Sequence, residues 1–281
     1  MIFARLFGGL GNQMFQYAAG RALASRLGTD LALDPRSLEA RGTRPLTRIF
    51  DLDITDAPAL PPAKGDGLLR YAMWRGLGRN PRFRREHGLG FNPGFSDWSD
   101  NSYLHGYWQS ARYFSGIAPH LRRAFVPRPQ ASEENAAMAA RIQATPAVSL
   151  HVRRGDYLAL GAHGVCTEAY YRAAVDHIAS RMTETPTIFV FSDDPGWARD
   201  NLPLPFEKLV VDLNGAETDY EDLRLMSLCR HNIIANSSFS WWAAWLNANP
   251  DKMVTAPATW FAARSMHNPD ILPDTWHRIA A

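Results

Sequence analysis

Ala147-Val148-Ser149-Leu150-His151-Val152-Arg153-Arg154-Gly155-Asp156-Tyr157 begins as an apolar, β-prone run and ends in charge around a glycine. A run apolar on both faces reads as a strand buried inside a sheet, and the glycine turn places its polar residues at the strand's carboxyl end. Runs of the same kind recur at 187–191, 209–211, 232–235 and 253–256, with helical patterns between them at 168–181, 195–201, 219–229 and 239–247. This alternation predicts an α/β architecture, a parallel sheet covered by helices on both faces. Ligands of such sheets gather at the carboxyl ends of strands, near helix N-termini.

Toward the N-terminus, residues 2–7 read as a strand. Glycines follow, then a helix over 12–27 in which Met14, Tyr17, Ala18 and Leu23 recur at helical spacing. A strand at 31–33 ends at Asp34-Pro35, and a helix is expected over 110–125. Residues 58–102 are rich in Gly, Pro and Arg and show no period, which predicts long loops with short helices. Val126-Pro127-Arg128-Pro129 reads as a crossing between domains. A length of 281 residues suits about two domains, expected at 1–130 and 131–281, with a last helix packing back on the first.

Composition narrows the function. With 46% hydrophobic and 21% charged residues, wholesale disorder is excluded. Thirty basic against 28 acidic residues leave a net charge of +2, too small for a nucleic-acid-binding field, so no nucleic acid partner is expected. Only Lys64, Lys208 and Lys252 are lysines, so the positive charge is almost all guanidinium, suited to phosphate or carboxylate. Cys166 and Cys229 are far apart, which excludes a disulfide framework and a cysteine zinc site. There is no apolar run of the ~18 residues a membrane span needs, and the apolar start is too short for a signal peptide. A cytoplasmic location is expected, with peripheral contact at the inner membrane as a variant of it.

Three strand exits carry polar clusters. Arg153 and Arg154 make a cationic clamp that matches phosphate bidentately. The same string also allows an Arg154–Asp156 ion pair, or an adhesion tripeptide that would need an exposed loop tip; the exit of a buried strand favours phosphate. Asp193 and Asp194 can accept from ribose hydroxyls or guanine N–H groups, although Ser or Asp ahead of Pro195 taken alone is a helix cap. Asn236-Ser237-Ser238-Phe239-Ser240-Trp241-Trp242 opens a helix, where amides and hydroxyls hold an anion or simply cap. Recurrence tips the balance, because the three exits would face one crevice.

Gly8-Gly9-Leu10-Gly11-Asn12-Gln13 lacks the third glycine of a dinucleotide fingerprint, and Asp30 or Asp34 is a weak ribose partner. Its turn can still present the Asn12 and Gln13 amides to sugar hydroxyls in a cleft. Asp51-Leu52-Asp53 has the form of a metal-binding pair but reads as a chance string. His105, His120 and His177 are assigned no role. The arginine-rich stretch with Arg70, Arg75, Arg79, Arg82, Arg84 and Arg85 reads as a solvated face, with anionic lipid or a diphosphate-bearing acceptor as the other reading.

Gly8–Tyr17, His151–Tyr157 and Asn236–Trp242 together, in this order and spacing, resemble the α-1,2-fucosyltransferases of glycosyltransferase family 11 over nearly the whole chain. The middle motif is also similar to α-1,6- and protein O-fucosyltransferases. The resemblance implies a GT-B fold, two Rossmann-like domains facing a cleft, with GDP-fucose held mainly by the second. It implies inverting transfer of L-fucose from GDP-β-L-fucose to the 2-hydroxyl of a galactose-terminated oligosaccharide, with neither metal nor other cofactor. With no anchor read in the sequence, a setting in bacterial surface-glycan synthesis is expected. By the family pattern Arg153 grips the β-phosphate and Arg154 supports the turn or the donor; His151 belongs to the same donor motif. Asp193 and Asp194 would contact guanine or ribose, and the Asn236, Ser237, Ser238 and Phe239 turn would contact diphosphate and base. Gly9, Gly11, Asn12 and Gln13 would line the fucose and acceptor side. Asp156 is the positional candidate for the base, with His163 or Glu168 as alternatives. The competing readings are another GDP-sugar or linkage, and a non-catalytic nucleotide-sugar-binding protein. The acceptor, its lipid linkage and the oligomeric state stay open.

Overall fold

In the computed structural model, which describes residues 1–57, 59–155, 166–263 and 266–280, the chain divides into two compact units. One comprises Met1–Val126 with Pro269–Ile271; the other comprises Pro127–Asn268 with Leu272–Ala281. The division falls inside the proline-rich crossing.

The first unit runs β1 (Ile2–Arg5), α1 (Leu10–Leu27), β2 (Leu31–Asp34), α2 (Arg36–Glu39), α3 (Leu68–Arg75), β3 (Phe83–Arg85), β4 (Tyr103–His105) and α4 (Ala118–Ala124). Its four strands are all parallel in the order β2-β1-β4-β3. Helix α1 is buried on nearly every side, so its apolar pattern is not confined to one stripe. It lies close against the sheet at Gly20, where a Cβ would stand 2.8 Å from Leu31 and 3.0 Å from Ala4. Gly28, in the left-handed region at φ 62°, ends it. The helix expected over 110–125 is broken instead. Short 3-10 turns at Ala111–Tyr113 and Ser115–Ile117 precede α4, because Pro119 fits only the first turn of a helix.

The second unit runs α5 (Glu133–Gln143), β5 (Ala147–Val152), α6 (Glu168–Ala179), β6 (Thr187–Ser192), α7 (Pro195–Asn201), β7 (Lys208–Val211), α8 (Asp219–Leu228), β8 (His231–Ile233), α9 (Ser238–Leu246), β9 (Val254–Pro257) and β10 (His277–Ile279). The six strands are parallel in the order β10-β9-β8-β5-β6-β7, which is the Rossmann order. Val148, Leu150 and Val152 of β5 pack with Tyr170, Tyr171 and Ala174 of α6. On the other face Ser149 Oγ accepts from Asn232 Nδ2 at 2.7 Å. Among the described residues after Leu246 the elements are strands: β9 is the strand expected at 253–256, and β10 stands where a last helix is expected. His277 and Arg278 are exposed there, and this edge strand lacks the apolar run that marks a central one.

One packing detail sets a pH dependence. Asp222 on α8 accepts from Asn214 Nδ2 at 2.7 Å, and Asn214 in turn exchanges hydrogen bonds with Asn135 of α5. Burial pushes the Asp222 carboxyl up to about 7, helped by the nearby Asp219, Glu221 and Asp212. A carboxyl raised on folding binds more protons in the native state than in the unfolded chain. Its stabilising contribution is therefore complete below about pH 4 and lost as pH rises through about 7. Asp222→Asn keeps an acceptor for Asn214 and removes the titration. Thermal melts from pH 4 to 8 should show wild type losing on the order of 2–4 kcal/mol relative to the variant; parallel curves would contradict this account.

Candidate functional site

Strands β8, β5 and β6 are adjacent and parallel, so their carboxyl ends form one edge. From β5 the chain moves outward through β6 to β7, then returns to the opposite side of β5 with β8. The switch point, where open α/β sheets bind ligands, thus lies between β5 and β8. Val152 pairs with Ser192 and Leu150 with Ile233. Carrying that register forward sets Arg153 level with Asp193 on one side and with the Asn236 turn on the other.

The two arginines differ in role. Arg153 Nη1 lies 3.2 Å from Asp193 Oδ2, with its side chain 33% exposed. Arg154 is turned aside, its guanidinium carbon 3.9 Å from the centroid of the Trp197 ring and its Nε 3.8 Å from Asp194 Oδ2. A guanidinium stacked on indole gains roughly 0.5–1 kcal/mol and is held flat. Asp193 braces both residues, since its Oδ1 also accepts from the Arg154 backbone N–H at 2.9 Å. Gly155 leaves space for that carboxylate; a Cβ there would stand 2.7 Å from Asp193 Oδ2. Asp194 caps α7, accepting from the Trp197 N–H at 3.1 Å ahead of Pro195. The carboxylates expected on ribose or guanine are therefore engaged with the arginine turn and the helix cap.

His151 is buried, and its Nδ1 finds no hydrogen-bond partner among the described residues. Burial, with the Arg153 charge beside it, pushes its pKa down to about 3, so the ring is neutral. It lies 5.9 Å from the Phe239 ring, centroid to centroid. At the β8 exit Asn236 donates to the Trp260 carbonyl at 3.1 Å and accepts from Cys166 Sγ at 3.6 Å, which fixes the turn. Ser237 caps α9, its Oγ accepting from the Phe239 N–H at 3.3 Å. Ser238 and Phe239 follow, half-buried, at the helix start. Asp156 and His163 lie outside the described residues. Glu168 opens α6 with its carboxylate on Arg172 at 3.0 Å, an exposed pair one turn apart.

The first unit has its own switch point, between β1 and β4. Gly8 turns there at φ 80°, and the Gln16 amide clips the chain by accepting from Phe7 N–H at 3.0 Å and donating to its carbonyl at 3.2 Å. Gln13, expected to meet sugar hydroxyls, faces inward. Its Nε2 donates to the Gly8 and Arg44 carbonyls and its Oε1 accepts from Leu46 N–H, so the amide is fully used in bracing the turn. Asn12 is half-buried, with Oδ1 accepting from Gln109 Nε2 at 2.8 Å. Gly11 is buried in α1, while a Cβ on Gly9 would meet nothing within 4 Å. Asp34 accepts from the Tyr103 hydroxyl and from Arg36, and Asp53 pairs with Arg21 at 2.9 Å. Asp34, a weak ribose candidate, and Asp53, of the metal-like string, are thus both engaged within the fold.

Glu86, just after β3, was not singled out by sequence. Its carboxylate accepts from the backbone N–H groups of Tyr107 at 2.6 Å and Trp108 at 3.0 Å. Gly106 makes room for it, since a Cβ there would overlap the Glu86 side chain. Burial pushes this carboxyl up to about 7, into the range of a group that exchanges protons near neutrality. Residues 58–102 give no period that marks it; the available signal was Gly106 between a β-prone run and two aromatics.

Comparison with known proteins agrees with this architecture. Residues 92–280 match the model of glycosyl transferase family 11. An alpha-1,2-colitosyltransferase of Escherichia coli is 33% identical over 99% of each chain. A galactoside 2-alpha-L-fucosyltransferase of Mus musculus, Sec1, is 28% identical over 85% of this chain and 64% of its own length. A mutant of Arabidopsis thaliana FUT1, solved in complex with GDP, superposes with a TM-score of 0.55 at 11% identity, over 94% of this chain and 71% of the other. That likeness is one of fold, and the fold is GT-B. The matched family model and the similarity that runs from end to end make this chain a member of glycosyl transferase family 11.

Proposed function

We propose that the chain transfers L-fucose from GDP-β-L-fucose to the 2-hydroxyl of a terminal galactose with inversion, giving an α linkage and needing no metal. The observation that carries this reading is Arg153 at the Rossmann switch point, held by Asp193 beside a helix N-terminus. In the reaction the acceptor oxygen forms a bond to the anomeric carbon while the bond from that carbon to the β-phosphate oxygen breaks. The electron pair leaves with GDP, and the hydroxyl proton passes to a base. The guanidinium of Arg153 meets the charge that grows on the leaving diphosphate, where other transferases use a divalent cation. The neutral His151 ring and the Ser238–Phe239 turn would flank the nucleotide. The linkage and the galactose acceptor are supported by the names of the mouse and Escherichia coli relatives.

A second reading takes colitose as the sugar, favoured by the similarity of an alpha-1,2-colitosyltransferase over the full chain. Colitose lacks the 3-hydroxyl of fucose. A site that hydrogen-bonds that hydroxyl discriminates by as much as 10⁴–10⁵-fold, whereas one that merely tolerates it does not. The purified protein is given GDP-fucose or GDP-colitose with lactose, in EDTA, and the product is identified by NMR. α-1,2-Fucosyllactose formed at an unchanged rate in EDTA is the expected result. Transfer from GDP-colitose alone establishes the second reading. Nucleotide binding without transfer, or turnover restored only by a divalent cation, overturns the proposal.

A further inference from the structure

Helix α3 is built inside out for a helix in water. Its inner side is fastened to the first unit by aromatic packing. Trp74 meets Phe83 and Tyr103 edge-on, each at 5.5 Å. The Arg75 guanidinium lies 3.7 Å from the Phe83 ring centroid and donates to the Tyr71 hydroxyl at 3.0 Å. The outer side carries Leu68, Leu69 and Met73, exposed at 73%, 76% and 73%. These are the most exposed large apolar side chains among the described residues; the next, Val126, is at 61%. With Ala72, also exposed, they fall at helical positions i, i+1, i+4 and i+5, which make one continuous face. A surface helix normally shows water its polar side, so an apolar outer face marks an interaction surface.

Charge identifies the occupant. Lys64, Arg70, Arg79, Arg82 and Arg85 are all exposed on and around this helix. Asp66 is the one exposed acid from residue 61 to 87, and Arg36 already binds it at 2.5 Å. A twofold contact between two copies would set one ring of cations against another. An anionic bilayer meets both halves of the pattern, the apolar side chains entering the acyl boundary and the guanidinium groups meeting lipid phosphates. No helix among the described residues is long and apolar enough to cross a membrane, so any attachment through α3 is to the surface. We propose that α3 docks this protein on an anionic membrane surface. The inference is independent of the donor sugar.

The test is vesicle sedimentation of the full chain with phosphatidylcholine vesicles containing one quarter phosphatidylglycerol, beside pure phosphatidylcholine vesicles. Binding is expected only to the anionic vesicles, and it should weaken between 0.1 and 0.5 M salt, as screened charges do. The variant carrying Leu68→Ser, Leu69→Ser and Met73→Ser should bind at least tenfold more weakly. Arg70→Glu with Arg79→Glu should do the same. Both variants should keep the wild-type melting temperature and wild-type transfer to a soluble acceptor. Absence of binding to anionic vesicles, equal binding by the serine variant, or a wild-type dimer that the serine variant dissolves would overturn the proposal.

Discussion

Arg153→Ala is expected to lower kcat/KM for transfer from the GDP donor by about 10²–10⁴-fold while leaving the melting temperature near that of wild type. Loss of a charge-assisted phosphate contact costs roughly 1.5–3 kcal/mol, and a group aimed at charge that develops in the transition state adds a further factor. Arg153 is one-third exposed at a strand exit, outside the buried core of β5, so its removal opens no cavity. Arg153→Lys keeps the charge but loses the planar fork and should fall between the two. Steady-state kinetics with GDP titration calorimetry checks this. An alanine variant within threefold of wild type would remove Arg153 from the diphosphate site.

Asp193→Ala should be the next most damaging change, acting through the arginine turn that its carboxylate holds. It holds the Arg153 guanidinium and the Arg154 backbone N–H together, so its loss lets the arginine turn relax. A drop of about 10–100-fold in kcat/KM is expected from one charged hydrogen-bonded brace. The double variant with Arg153→Ala should be little worse than Arg153→Ala alone, since residues acting as a unit are not additive. Full additivity would mean that Asp193 acts on its own, as a ribose or guanine ligand would. Gly155→Ala offers a milder version, because its Cβ would press on the same carboxylate oxygen.

The second unit was legible in the sequence because its central strands are buried on both faces and leave unbroken apolar runs. The 147–152 run is β5 to the residue, and β6 extends its expected span by Ser192. The elements that escaped reading have weaker signatures. Helix α5 buries little beyond Asn135 and Ile142, and β3 is three residues with no buried position. At the site, the strand exits were readable and the assignments within them less so. Asp194 and Ser237 cap helices, as their local sequence suggests, and Gln13 turns inward for reasons set by the Arg44–Leu46 backbone far along the chain. Such partners are tertiary and leave no periodic trace. Trp197, which fixes Arg154, is likewise a contact across two strand exits.

The strand order of the second unit also bears on how the protein comes into being on the ribosome. Because β8 lies against β5 only after the chain has gone out to β7 and back, one side of the central strand stays bare through about eighty residues of synthesis. Nascent chains ending before α9 carry Arg153 without the turn that opens α9. Their parallel edge stays unpaired until β8 arrives, and under the proposed function the donor site is completed only when that edge is closed.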